Sequence, residues 1–154
     1  MSALIAEAYH GSEIYFSGSS MGGYGAILHG MLNRAHAVYA NVPQTYLLGS
    51  QYSNSGMNKY FEPLFGSDIH PSYNNLQNLI KSRIRTTFII NCFRWDKTRK
   101  YSKEQIFDFQ SHLAKYDINF FGQIYPGAGH NLTLSVAESA NLLRQNRRLL
   151  RENF

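Results

Sequence analysis

The chain has 154 residues, 44% of them hydrophobic, with one cysteine and a formal net charge of +5. That length suits a single domain with a real core, and no apolar run approaches the roughly 18 residues of a membrane span. A lone thiol, Cys92, excludes an internal disulfide, and the absence of zinc-finger spacing, an RNA-binding signature or a phosphate-binding glycine loop argues against nucleic acid, metal or cofactor.

The opening Met1-Ser2-Ala3-Leu4-Ile5-Ala6-Glu7 carries an acid and no basic region, so no signal peptide is expected and the expected location is cytoplasmic. Residues 4 to 9 read as the end of a helix, 10 to 12 as a turn and 13 to 17 as a strand. A helix is expected from about Gly22 to Asn33, burying Ile27, Leu28, Met31 and Leu32. Residues 36 to 42 read as a second strand, stopped by Pro43. Residues 86 to 93, Thr-Thr-Phe-Ile-Ile-Asn-Cys-Phe, are β-branched and apolar on both faces, as in a buried parallel sheet, and they place the Cys92 thiol in the core. A helix over about 103 to 116, a strand over 119 to 125 and a last helix from Leu132 to Glu152 complete the chain. In that last helix Ser135 and Glu138 have capping-box spacing, which predicts an irregular first turn. Strands alternating with helices predict an α/β fold, a mostly parallel sheet of about four strands flanked by helices. Ligands of such sheets sit beyond the carboxyl ends of the strands.

Residues 44 to 80 differ from the rest. They are rich in tyrosine and asparagine (Tyr46, Tyr52, Tyr60, Tyr73, Asn54, Asn58, Asn74, Asn75, Asn78) and too long for a plain connection. They read as a variable loop with a short helix from about Ser72, or as a cap inserted into the domain of residues 1 to 154, with 60 to 65 packed over the sheet top. Rings and amides of this kind suit sugars. Arg144, Arg147, Arg148 and Arg151 share one face of the last helix, a solvated face or a surface for polyanions.

One stretch carries chemistry. Gly18-Ser19-Ser20-Met21-Gly22 falls between the apolar Ile14-Tyr15-Phe16 and the helix that follows, matching a nucleophile elbow: a sharp strand-to-helix turn that lifts a serine Oγ out of the sheet. The pentapeptide pattern arises by chance in roughly one chain in twenty of this length, so it needs a base and an acid elsewhere. Of six histidines, His29 and His112 fall inside helices, His36 opens a strand, and His10 and His70 lie in turns. His130 follows the 119 to 125 strand through Pro126-Gly127-Ala128-Gly129, a turn able to swing an imidazole over the sheet top. Asp96 follows the strongest strand and is the expected partner of that imidazole, the alternative being a loop aspartate paired with Arg94, Lys97 or Arg99.

The order Ser20, Asp96, His130, each after a strand, resembles the α/β-hydrolase superfamily, through the elbow Gly18-Ser19-Ser20-Met21-Gly22-Gly23 and the turn Gly127-Ala128-Gly129-His130. The resemblance covers nearly the whole chain but only the C-terminal half of that family's domain, a truncated α/β-hydrolase-like architecture. It implies attack of Ser20 on an ester carbonyl, a proton shuttled by His130, an acyl-enzyme, and the Met21 N–H as one oxyanion donor. The Tyr15-to-Ala26 stretch is also similar to hydrolase-like proteins of bacterial polysaccharide pathways, implying a small or glycan ester. About thirteen residues precede the elbow strand, which makes it an expected sheet edge: a second copy or a partner chain covers it, or the sequence is the C-terminal part of a longer protein, or the fold compensates some other way. The reading from another class is a non-catalytic remnant or module that binds a partner through that edge.

Overall fold

The computed structural model describes residues 13–66, 68–95 and 99–146. The expectations for residues 1 to 12, for Asp96 and for the end of the last helix, with Arg147, Arg148 and Arg151, fall outside them. Four strands, β1 (Tyr15–Ser19), β2 (Ala37–Asn41), β3 (Thr87–Trp95) and β4 (Phe120–Ala128), form one sheet in sequence order. All three pairings are parallel. β1 runs two residues beyond its expected end, because Gly18 and Ser19 still pair with Ala40 and Asn41. β2 ends before Val42, whose φ of 40° turns the chain ahead of Pro43. β2 and the first six residues of β3 are fully buried, as their unbroken apolar runs require.

The helix α1 (Met21–Leu32) crosses one face. Its contact side joins three of the expected apolar four, Ile27, Leu28 and Met31, to small residues: Gly30 lies so close to Val38 that a Cβ there would meet Cγ2 at 2.2 Å. Ile27 is fully buried while Leu32 is half exposed. The same face carries α4 (Arg99–Tyr101), a π-helical turn over Ser102–Phe107 and α5 (Asp108–Lys115), where one helix was expected. Ile106, Phe109 and Leu113 point from these into the core. Between β2 and β3 the chain folds into a π-helical turn (Ser53–Met57), α2 (Asn58–Phe65), α3 (Pro71–Asn74) and a 3₁₀ turn (Leu76–Leu79). Of the 60 to 65 stretch only Phe61 is fully buried; Tyr60 and Leu64 face outward.

The opposite face is covered by α6 (Val136–Gln145), with Leu143 packed against Ala37, Tyr39 and Ile89. This helix begins four residues later than expected. Ser135 is its N-cap and forms a reciprocal capping box with Glu138, so residues 132 to 134 remain a linker. The Ser135 bonds hold the exposed Glu138 carboxyl below its ordinary range. β4 continues past Pro126 through a bulge, Phe93 pairing with Tyr125 and Trp95 with Ala128. Pro126 is tolerated because β4 is an edge strand of this sheet. Cys92 is buried, as expected.

Candidate active site

Ser20 follows β1 at φ 56°, ψ −120°, a conformation that side chains rarely adopt. Two close approaches hold it. A Cβ on Gly18 would lie 2.0 Å from the Gly22 carbonyl oxygen, and one on Gly23 would lie 2.9 Å from Pro43 Cβ. Gly22 itself has open space around its Cα, so the tight turn needs Gly18 and Gly23 rather than all three glycines. Ser20 occupies the N-cap position of α1 yet makes no side-chain cap bond. A serine there ordinarily contributes about 1 kcal/mol by capping. Its Oγ instead lies 2.8 Å from Nε2 of His130, 110 residues away. The first helical N–H with a carbonyl partner is Tyr24's, bonded to Ser20 O at 3.1 Å. The N–H groups of Met21, Gly22 and Gly23 therefore have no intrahelical acceptor and face the elbow with the positive end of the helix dipole.

His130 sits between two tyrosines. Its ring stacks on Tyr52 (centroids 6.4 Å, 19° between planes) and meets Tyr101 edge-on (5.0 Å, 88°). Tyr101 is fully buried and donates its hydroxyl to Val42 O at 2.7 Å. The imidazole plane is thus set by an element after β3 and another from the 44 to 80 segment. The other described histidines serve local structure. His36 Nδ1 accepts from Ile14 N, His70 Nδ1 caps α3, and His112 Nε2 meets Ile80 O. His29 packs on Phe16.

Asn41, buried at the end of β2, joins the elbow to the His130 loop with all four of its side-chain hydrogen-bonding positions. Nδ2 donates to Ser19 Oγ and to Asn131 O, both at 3.0 Å. Oδ1 accepts from Thr133 N at 3.2 Å and Thr133 Oγ1 at 2.6 Å. The Asn41 carbonyl accepts from Ser20 N at 2.9 Å. Its register partner Asn91 donates to Tyr39 Oη and Thr133 Oγ1. Burial pushes the Tyr39 phenol above its ordinary pKa, with the Thr133 and Asn91 bonds pulling it partly back. Gln44, 2% exposed, donates from Nε2 to Ser20 Oγ at 3.1 Å. Its Oε1 is buried with no hydrogen-bond partner among the described residues, a situation that ordinarily costs about 1–3 kcal/mol.

The structure therefore brings Ser20, Met21 and His130 together, and Asp96 lies outside the described residues. Its neighbourhood in the chain is described: Gly129 N, one residue before His130, donates to Trp95 O, one residue before Asp96, at 2.9 Å. Sequence reasoning overlooked Asn41 and Gln44. The available signal was a polar amide closing an otherwise apolar run, Ala37-Val38-Tyr39-Ala40-Asn41, repeated at Asn91 in β3.

No family model and no curated protein matches the chain. Solved structures do. An S-formylglutathione hydrolase from Agrobacterium tumefaciens aligns with 99% of the chain at 18% identity and a TM-score of 0.62. Esterase B from Lactobacillus rhamnosis aligns with 91% of it at 14% identity and a TM-score of 0.64. The capsule O-acetyltransferase of Neisseria meningitidis serogroup A aligns with 97% at 20% identity and a TM-score of 0.62. The chain spans 54%, 54% and 61% of those three chains, respectively. It has the α/β-hydrolase fold, over a little more than half the length of these structures. Among the described residues no helix is long and apolar enough to cross a membrane.

Proposed function

We propose that this chain carries the reactive centre of a serine esterase or acyltransferase, with Ser20 as nucleophile, His130 as base and Asp96 as acid. The observation that carries the reading is the 2.8 Å contact between Ser20 Oγ and His130 Nε2, made by a serine that forgoes helix capping in a strained backbone. Nε2 accepts the hydroxyl proton as Oγ attacks the ester carbonyl. The carbonyl electron pair moves to oxygen, stabilised by the Met21 N–H. Collapse expels the alcohol, which leaves with the proton from His130, and water or an acceptor hydroxyl then takes the acyl group. The Asp96 assignment is supported by the Gly129–Trp95 bond, since His130 and Asp96 are the next residues on its two sides.

Residues 44 to 80 act in this reading as a cover, because Gln44 reaches Ser20 and Tyr52 stacks on His130. The Tyr/Asn-rich composition of that cover, together with the acceptor named for the Neisseria capsule enzyme, favours a glycan ester or glycan hydroxyl over a simple alkyl ester. A second oxyanion donor, worth about 3 kcal/mol, enters in this reading from whatever covers the β1 edge. The half-buried edge strand β1 also favours one other reading, a module that binds a partner there without catalysis.

The test is a fluorophosphonate probe. Wild type is expected to label, Ser20→Ala and His130→Ala to lose labelling, and Asp96→Asn to lower the rate on the order of 10⁴-fold by favouring the wrong imidazole tautomer. Equal labelling of wild type and Ser20→Ala ends the catalytic reading in favour of the binding module.

A further inference from the structure

The side chain of Gln44 is the feature that the reaction as described leaves without a role. It is buried, it reaches the reacting oxygen, and it is held there firmly. Its backbone N–H donates to Ser20 O at 3.3 Å. Pro43, before it, is in close contact with the Gly23 backbone. Thr45, after it, is clamped by Gln105, whose Oε1 accepts from Thr45 N at 2.7 Å and whose carbonyl accepts from Thr45 Oγ1 at 2.6 Å. The amide is therefore aimed before any substrate arrives.

We infer that Gln44 is a further catalytic residue, which fixes the Ser20 hydroxyl and stabilises, by hydrogen bonding, the negative charge that develops on its oxygen. The inference rests on the serine-nucleophile reading above. An amide Nε2 can only donate, so Oγ accepts from Gln44 at 3.1 Å and turns its own proton toward His130 Nε2 at 2.8 Å. That arrangement requires Nε2 to be unprotonated, with the neutral imidazole's proton on Nδ1. When the O–H bond breaks, Nε2 gains the proton and Oγ forms its bond to the acyl carbon. The Gln44 N–H bond strengthens while Oγ is negative and weakens once the ester forms. The bond exists before substrate arrives, and only its strengthening at that moment raises the rate rather than the binding of substrate. Oε1, buried and without a partner among the described residues, fits the same account: one end of the amide is left without a described partner while the other faces the nucleophile.

Two measurements test this. Gln44→Met keeps the volume and removes the donor, and should slow fluorophosphonate labelling by about 10- to 100-fold with the thermal midpoint little changed. Gln44→Glu, which replaces the donor with an acceptor that competes for the Ser20 proton, should label more slowly still. Labelling of Gln44→Met within twofold of wild type overturns the inference and leaves the nucleophile reading intact. The second measurement needs no change at residue 44. In wild type one Gln44 side-chain amide proton should be displaced downfield and protected from exchange, and His130 Nε2 should show the nitrogen shift of an unprotonated imidazole. Both Gln44 signatures should vanish in Ser20→Ala. An amide resonance that Ser20→Ala does not move overturns the inference, even if wild type proves unreactive and the nucleophile reading falls by itself.

Discussion

The two ends of the sheet spend the same backbone strain differently. Four described residues other than glycine have positive φ: Arg34 and Asp117 at the amino ends of strands, Ser20 and Val42 at the carboxyl ends. Arg34 and Asp117 each follow a helix, and the returning N–H bonds of Ala35 to Gly30 O and Ile118 to Leu113 O are ordinary left-handed helix stops. Their side chains make no demand on the turn. Ser20 and Val42 stop nothing of that kind. Val42 is β-branched, which makes its φ of 40° costlier, and its carbonyl is held by Tyr101, whose ring also sets His130. At one end strain finishes a helix; at the other it aims side chains.

The largest expected break in that contrast is Gly18→Ala. Its Cβ would collide with the backbone at Gly22, so a loss of about 3 kcal/mol or more in denaturant unfolding is expected, with labelling abolished. Gly22→Ala, with open space at its Cβ, should change stability by less than about 1 kcal/mol. Asn41→Ala comes next. It leaves Thr133 and Asn131 without their buried partner, and about 2–3 kcal/mol of stability should go together with much of the probe reactivity. Tyr24, the first α1 residue bonded back to Ser20, gives a pH test. Burial, with a smaller contribution from Tyr73, pushes its phenol up to about 12. A raised folded pKa stabilises fully below the unfolded value near 10, and the effect is lost as pH rises toward 12. Tyr24→Phe should therefore flatten the decline in thermal midpoint between pH 10 and about 12. The smallest effect belongs to the other end of the sheet: Arg34→Gly should raise stability by about 0.5–1 kcal/mol and leave labelling unchanged.

The sheet was legible because β2 and β3 are continuous apolar runs, and Ser20 and His130 because glycines mark the turns that hold them. What could not be read are groups whose meaning is tertiary. Asn41 is a strand residue by position, and only its bonds across 90 residues to Asn131 reveal the clamp. Gln44 lies beside a proline, in sequence that reads as the start of a loop. The strand beyond Pro126 was missed because proline ordinarily ends a ladder, whereas here a bulge restores the pairing at Ala128. Leu32 was misplaced because apolar spacing fixes a helix face only until glycines allow a closer one.

The separation of Ser20 and His130 bears on how the protein comes into being. At about 5–20 residues per second, a ribosome that has added Ser20 needs roughly 5–20 s to reach His130. Throughout that interval the serine lacks its His130 contact, and in the proposed reading it is then an ordinary hydroxyl. β4, which delivers the histidine, is also the last strand of the described sheet in chain order. Under the proposed serine-hydrolase reading, reactivity is withheld until that final strand docks, and a chain stalled before that point is expected to stay unlabelled by a fluorophosphonate probe.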